Sequence, residues 1–251
     1  MKIIIKTIII ALVVIFAISM FYIYYSKNKI YVLNEYNNSG KLLGTNEYIL
    51  KNGDTIFNGK FVNYNENGVK VSEGQFKNNE LFGKCVYYFD NGKVESIQFK
   101  KDSKTVLEDF WYDEDGNIEQ YTLYNLKGKP ILIINYDKDG VVSKLKGIPL
   151  KQVNEDKFNL EQQFKLGEVL KYQCLIANIP NTKRSFKIEN VGINQATIKR
   201  VIKHVEPAEV NVEEVLIKKG SNTFKLIVKY DFNDKITPVL NDTITFNINV
   251  K

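Results

Sequence analysis

The sequence predicts a mainly β protein, made of an N-terminal transmembrane helix, an antiparallel β-meander of repeats and a second all-β domain. Three observations support this prediction: an apolar run at the N-terminus, a Tyr-x-x-x-Gly unit that recurs through the first half, and alternation of apolar and polar residues in the second half. A fixed repeat is typical of small structural units that pack against their neighbours. Alternation with a period of two indicates strands with one buried face.

Residues 1–26 predict a transmembrane signal anchor. Residues 7–25 carry no formal charge and are nearly all apolar. As a helix this run is roughly 28 Å long, close to the ~30 Å thickness of a bilayer core. Lysines flank the run on both sides, and aromatic residues crowd its C-terminal end, where the membrane interface favours them.

A cleavable signal peptide is the alternative interpretation, with Ala17 and Ser19 as the small residues before the cut. The apolar run continues beyond them through residues 20–25, which favours a retained anchor. The abundance of Lys, Ile and Asn favours a bacterial source with an AT-rich genome. We therefore predict a single-pass protein of the bacterial inner membrane, with the bulk of the chain periplasmic or otherwise extracytoplasmic.

The net charge of +6 is unevenly distributed and does not indicate a nucleic-acid-binding protein. Residues 26–159 are neutral, with 19 lysines against 19 acidic residues, whereas residues 160–251 carry a net charge of +4. The basic residues there occur in short pairs such as Lys199-Arg200. A nucleic-acid surface needs a basic stripe with interleaved aromatic residues, so we predict no nucleic-acid partner.

The Tyr-x-x-x-Gly units predict a β-meander over residues 31–142. The glycines at positions 68, 92 and 116 are 24 residues apart, and those at 116, 128 and 140 are 12 apart. The Asn-Gly pairs at residues 67–68 and 91–92 predict hairpins with type I′ turns, which need positive φ at both central residues. Asn78-Asn79 predicts a second turn in the repeat, because Asn tolerates the left-handed region.

The repeat resembles the bacterial variant of the MORN repeat, which is found in antitoxin-labelled proteins of the YwqK family and in many envelope proteins. The resemblance is good over residues 59–101 and weaker over residues 36–58. It implies a structural role for the motif residues and supplies no catalytic residue. The matching positions are Gly59, Phe61, Tyr64, Asn67, Gly68, Glu73, Phe76, Gly83, Tyr87, Tyr88, Asn91, Gly92 and Lys93.

After Gly140 the rhythm stops, and residues 143–160 read as a linker because they combine Gly147-Ile-Pro149 with a polar stretch. Residues 161–251 predict six or seven short strands, which is typical of an immunoglobulin-like β-sandwich. Three sets of alternating apolar residues mark its clearest strands: Leu170, Tyr172, Cys174 and Ile176; Phe224, Leu226, Val228 and Tyr230; Ile244, Phe246, Ile248 and Val250.

The sequence offers no catalytic, cofactor or metal site. His204 is the only histidine, and Cys85 and Cys174 read as small core residues far apart in the chain. A catalytic Ser-His or Cys-His pair and a zinc site are therefore improbable. Residues 113–117 superficially resemble a calcium loop, but the glycine falls at the fourth position, so we interpret them as an acidic hairpin tip. We predict that the protein is not an enzyme.

Aromatic residues in the repeats are the best candidates for binding. One interpretation is that the tyrosines form a ladder that holds the sheet. The other is a Tyr-rich groove for a peptide, a glycan or a partner strand. The candidate partner-binding residues are Tyr64, Tyr88, Trp111, Tyr112, Tyr124 and Tyr136.

These features predict a membrane-anchored, non-enzymatic cell-envelope binding or scaffold protein. We expect its N-terminal helix to hold it in the membrane, and its repeat sheet and β-sandwich to engage a protein partner. The alternative is an antitoxin-like or immunity protein that neutralises a cognate toxin at the membrane.

Overall fold

The chain is mainly β, with antiparallel sheets, as the sequence predicts. It divides into two compact units, residues 1–81 and residues 82–251, which we describe separately as the N-terminal and C-terminal units. The computed structural model describes residues 10, 12–21, 29–153, 163–205 and 207–251.

Residues 10 and 12–21 of the N-terminal unit are helical, and apolar side chains such as Ile15, Phe16 and Phe21 are exposed. The rest of the anchor predicted over residues 1–26 lies outside the described residues. In the part of the chain that the structure describes, no helix combines the length and the apolar character needed to cross a bilayer.

The remainder of the N-terminal unit is a meander with strand order β1-β2-β3-β4, and β5 pairs with β4. Its turn at Asn78-Asn79 has positive φ at both residues, so the second turn of the repeat is confirmed. Asn52 and Gly53 form a similar turn between β2 and β3. The strands are β1 (Tyr31–Tyr36), β2 (Leu42–Lys51), β3 (Asp54–Tyr64), β4 (Lys70–Lys77) and β5 (Glu80–Leu81).

The C-terminal unit begins with six strands that pair with their sequence neighbours in antiparallel fashion. Each repeat tyrosine is the last residue of its strand, and the glycine four residues later has positive φ. The strands are β6 (Gly83–Tyr88), β7 (Val94–Lys100), β8 (Val106–Tyr112), β9 (Ile118–Tyr124), β10 (Pro130–Tyr136) and β11 (Val142–Gly147).

The Asn-Gly pairs do form hairpins, but the prediction of type I′ turns at residues 67–68 and 91–92 is wrong. Only the glycines have positive φ there. In the first turn, Gly68 donates its N–H to the carbonyl of Asn65, and Asn65 donates to the carbonyl of Val69. The Asn65 side chain also accepts backbone N–H groups from Asn67 and Val69. This side chain stabilises a longer turn that closes with a left-handed glycine.

Eight strands follow and form two four-stranded sheets, ordered β12-β14-β17-β16 and β13-β19-β18-β15. A short 3-10 helix, Gln195–Thr197, precedes β16. The Tyr172 ring contacts Phe224 and Phe246 edge-on, which packs the two sheets together. The strands are β12 (Leu150–Gln152), β13 (Gln163–Phe164), β14 (Val169–Ile176), β15 (Thr182–Asn190), β16 (Arg200–Val205), β17 (Glu209–Val215), β18 (Gly220–Phe232) and β19 (Leu240–Val250).

Part of the segment predicted as a linker, residues 143–160, is β-structure. It contains most of β11 and all of β12, and residues 154–160 lie outside the described residues. The Gly147-Ile-Pro149 sequence between the strands is a tight joint, because Ile148 donates its N–H to the carbonyl of Ile131 at 2.8 Å. Gly147 has φ +110 and lies against the Ile131 backbone, a conformation that favours glycine.

Within the C-terminal unit, one hydrophobic core spans strands β8–β11 and the two four-stranded sheets. Tyr121, Leu123, Leu132 and Ile134 of β9 and β10 belong to the same buried cluster as the inward residues of β14 and β18. The predicted apolar faces of β14 and β18 are thereby confirmed, since all their members are buried. Both cysteine thiols are buried as predicted, and burial raises the pKa of Cys174 to about 12.

Candidate functional site

The six predicted partner-binding residues do not lie on one surface. Tyr64 ends β3 in the N-terminal unit and Tyr88 ends β6 in the C-terminal unit, and both are half-buried. The other four residues lie on β8–β10, whose strands contribute to the shared core: Trp111, Tyr112, Tyr124 and Tyr136. The structure separates Trp111 from its neighbour, because Tyr112 packs against the core and Trp111 is exposed.

Tyr112 and Tyr136 lie on the face that packs against the core. Tyr136 belongs to the buried cluster, and Tyr112 packs against it. Burial raises the pKa of both hydroxyls, so the rings act as neutral packing groups. Tyr112 also lines a pocket of about 360 Å³ with Pro180 and Asn181 of the loop between β14 and β15.

Trp111 lies on the opposite face of strands β8–β10, which we call the open face and define by Asp109, Trp111, Gln120, Tyr124 and Asn135. Trp111 is its exposed member, and Asp109 is buried at its floor. Trp111 is 36% exposed, the largest exposure among the described aromatic residues of these strands. Gln120 is its register partner on β9, and Asn135 is the partner of Gln120 on β10. Gln120 donates its side-chain N–H to Asn135 Oδ1 at 2.8 Å.

These three side chains and Glu119 line a shallow depression in the surface. The floor of the open face is polar as well. Tyr124 donates its hydroxyl to Asp109 Oδ2 at 2.7 Å, and the buried Oδ1 of Asp109 has no hydrogen-bond partner among the described residues. Burial and the neighbouring Asp109 carboxylate raise the pKa of Tyr124, which keeps its hydroxyl available as a donor.

On the opposite side of β8 from the open face lies a buried carboxylate, Glu108, which is 0% exposed. Glu108 accepts the hydroxyl of Tyr121 and the backbone N–H of Asn178, the latter at 2.7 Å. Its second oxygen accepts the Asn178 side-chain amide at 2.8 Å, and Arg184 donates to Asn178 Oδ1 at 2.7 Å. Burial raises the pKa of Glu108, although these hydrogen bonds oppose the shift.

A second polar link joins the same parts of the C-terminal unit. Lys101, in the turn between β7 and β8, pairs with Glu209 of β17 at 2.9 Å. Gln173 of β14 also donates its side-chain amide to Glu209. Together with the shared core, these contacts fix β8–β10 to the two four-stranded sheets.

The open face combines an exposed aromatic ring with a pair of side-chain amides. An aromatic ring beside paired amides offers apolar contact together with hydrogen-bond donors and acceptors, as protein-binding surfaces do. Glu108 is a buried acid with a raised pKa. It faces the core, and both of its carboxylate oxygens accept hydrogen bonds. Among the described residues, no group of three or more His, Cys, Asp or Glu side chains is placed to hold a metal ion.

The sequence singles out Trp111, and the structure places Gln120 and Asn135 beside it and Glu108 on the opposite side of β8. Gln120 and Asn135 gave no signal, because polar residues on one face of a strand are ordinary. Glu108 did give a signal, because in β8 it is a charged residue at a position that shares one strand face with Val106 and Phe110. Asn178 lies in the loop after β14, and only the fold brings it to Glu108.

A scan of protein families and a search of curated proteins give no match to this chain. Among solved structures, the S-layer protein SbsC domains 4 and 5 align with 89% of this chain and 98% of their own, at 10% identity and a TM-score of 0.25. S. aureus TarM, in complex with fondaparinux, alpha-GlcNAc-glycerol and UDP, aligns with 53% of this chain at 12% identity and a TM-score of 0.24. The match spans 22% of the TarM chain.

Proposed function

We propose that this chain is a membrane-anchored, non-enzymatic binding or scaffold protein of the bacterial cell envelope, and that the open face engages a protein partner. The observation that carries the proposal is the exposure of Trp111 in a polar depression on strands β8–β10. Aromatic anchors surrounded by hydrogen-bonding groups are typical of the centres of protein interfaces.

The architecture that we propose around this face combines MORN-variant repeats with an immunoglobulin-like β-sandwich. The sheet orders β12-β14-β17-β16 and β13-β19-β18-β15, with β13 parallel to β19, support the sandwich. They correspond to an immunoglobulin arrangement in which the first strand is divided between both sheets. The regular Tyr-turn-Gly hairpins from β3 to β11 support the repeat interpretation.

The proposed tether is the N-terminal segment, residues 1–26, which holds the protein in the inner membrane with its bulk outside the cytoplasm. Its uncharged run over residues 7–25 supports this function. The exposed apolar side chains of residues 12–21 suit a lipid environment, because water disfavours such a surface.

Affinity capture from solubilised native membranes tests the proposal, with the full chain and its Trp111→Ala variant as baits. We expect one stoichiometric protein partner that the variant loses, because truncating an interface aromatic typically weakens binding by about 2 kcal/mol or more, some thirtyfold. The matched control is Tyr31→Ala, which removes an aromatic ring from β1 and is expected to retain the partner.

Equal capture by the wild type and the Trp111→Ala variant would contradict the proposal, provided that both give the same circular dichroism spectrum. The identity of the partner separates the two versions of the function. A toxin supports the alternative of an antitoxin-like or immunity protein, which rests on the resemblance of the repeats to the YwqK family. A component of envelope machinery supports the scaffold.

A further inference from the structure

The four edge strands of the two four-stranded sheets differ in length and composition. A sheet edge presents unpaired backbone N–H and C=O groups that can pair with another chain, and proteins protect edges with short strands or charges. β12 has three residues and β13 has two, and the longer edge strand β15 carries Lys183, Arg184 and Lys187. These three edges are protected.

The remaining edge, β16, is longer than β12 and β13, and unlike β15 it combines its basic residues with exposed apolar side chains. It is the terminal strand of its sheet and pairs only with β17. Five of its six residues are exposed. Its three β-branched apolar residues are Val201, Ile202 and Val205, which are 51%, 40% and 41% exposed. β-branched side chains favour strands, so the edge is suited to pair with one more strand.

The charge of β16 indicates what kind of strand fits. The strand contains Arg200 and Lys203 and no acidic residue. Arg200 is neutralised by the buried Glu214, at 2.6 Å, whereas the register partner of Lys203 on β17 is the neutral Asn211. Val201, Lys203 and Val205 share one face of the strand because they alternate. A second copy of β16 would bring no acidic side chain to Lys203.

We propose that β16 is a strand-addition site, and that its occupant is an extended segment of a partner protein with an acidic residue opposite Lys203. Main-chain hydrogen bonds to the edge hold such a segment, and the alternating side chains select it. The selected pattern is apolar, acidic, apolar on one face, to match Val201, Lys203 and Val205. This proposal shares with the proposed function the premise that the partner is a protein. It concerns the edge strand β16 and not the open face.

Binding of synthetic peptides to the full chain in detergent tests the proposal. The probe is a fluorescent peptide, Thr-Val-Thr-Glu-Thr-Val-Thr, and its matched control carries Lys in place of Glu. We expect the Glu peptide to bind about three- to tenfold more tightly than the Lys peptide, because opposite charges across a strand pair attract and like charges repel. Lys203→Glu is expected to reverse the preference, whereas Lys187→Glu on β15 leaves it unchanged.

Two further measurements identify the mode of binding. A Glu peptide with N-methylated backbone amides keeps its side chains but lacks the donors of a strand, so we expect it not to bind. Hydrogen exchange is expected to slow at β16 when the Glu peptide binds. Equal affinity for both peptides, a preference that Lys203→Glu does not alter, or unchanged exchange at β16 would overturn the proposal.

The two binding surfaces are distinguished by Trp111→Ala. We expect this variant to bind the Glu peptide as the wild type does, because Trp111 lies on β8 and not on the β16 edge. A failure of the open-face proposal therefore leaves this result unaffected. Loss of peptide binding in a folded Trp111→Ala variant would contradict a separate strand-addition site at β16.

Discussion

At the scale of single residues, Glu108 links β8 to the loop after β14 through its hydrogen bonds to Asn178. It is a fully buried acid that satisfies the Tyr121 hydroxyl and two donors of Asn178. A buried polar group that loses its partner keeps its desolvation cost. Replacing Glu108 therefore changes the free energy of unfolding through its hydrogen-bond partners as well as through Glu108 itself.

We expect Glu108→Ala to lower the free energy of unfolding by about 2–5 kcal/mol, because the buried Tyr121 hydroxyl and one N–H of the Asn178 side-chain amide lose their acceptor. Urea denaturation followed by Trp111 fluorescence measures this change, since Trp111 is the single tryptophan. The control is Glu189→Ala, which removes a partly exposed acid of β15 that pairs with Lys187 and is expected to change the free energy of unfolding much less than Glu108→Ala does. A Glu108→Ala variant as stable as the wild type would contradict the network.

The pH dependence of stability has a definite sign at Glu108. Burial raises the pKa of its carboxyl above the ordinary value of 4.5, so the folded protein binds this proton more tightly than the unfolded chain does. Its contribution is fully present below the unfolded pKa and is lost as the pH rises through the folded pKa.

We therefore expect the stability of the wild type relative to Glu108→Gln to fall as the pH rises from about 4.5. The glutamine cannot ionise, so it removes this one titration and leaves the others in place. Urea denaturation of both proteins at a series of pH values measures the difference. A difference that stays constant, or that grows with pH, would show that the folded pKa of Glu108 is not raised.

The residues of the site illustrate what the sequence can predict. Trp111 stands out in the sequence because it is the single tryptophan and lies in a repeat, and its part in binding stays a prediction. Gln120, Asn135 and Asn178 were missed because their roles depend on strand register and on a loop from another sheet. Contacts between residues far apart in the chain leave no periodic signal in it.

At the scale of elements, the strands were largely predictable and the turns less so. Alternation identified β14, β18 and β19, because one buried face imposes a period of two. The turn type at residues 67–68 was wrong, because the side chain of Asn65 stabilises a longer turn. The linker assignment at residues 143–160 rested on Gly and Pro, which here form a joint between β11 and β12.

The tight joint between β11 and β12 leads us to expect different effects when two glycines, Gly128 and Gly147, are replaced by alanine. Gly128 has φ +72 and open space around it, whereas a Cβ on Gly147, at φ +110, would lie 2.0 Å from the Ile131 carbonyl oxygen. We expect Gly128→Ala to cost about 1–2 kcal/mol of stability from the left-handed backbone alone. Gly147→Ala is expected to cost more, because the joint must also shift. Equal midpoints of thermal unfolding for the two variants would contradict a tight joint.

At the scale of the whole molecule, strands β8–β10 and the two four-stranded sheets are not structurally independent modules. Strands β8–β10 contribute to the core of the sheets that follow them. The sequence did not reveal this, because the inward residues of β9 and β10 read as one face of a single-layer meander. Only the packing of Tyr121, Leu123, Leu132 and Ile134 shows what covers that face.

We expect the C-terminal unit, residues 82–251, to open as one cooperative body. Native-state hydrogen exchange of the full chain measures this, because amides that share an opening reaction share its free energy. The slowest amides of β9 and β10 are expected to give the same free energy as those of β14 and β18. Clearly lower values for β9 and β10, by several kcal/mol, would mean that the repeats open independently of the two sheets.

The central claim is that the open face holds the partner, and site-specific photo-crosslinking in native membranes tests it most directly. A photoreactive phenylalanine analogue replaces Gln120 in one variant and Lys104, an exposed residue of the β7–β8 turn, in the other. We predict a single crosslinked protein at position 120, abolished by Trp111→Ala, and none at position 104. Crosslinking of that protein at 104 and not at 120 would contradict the claim.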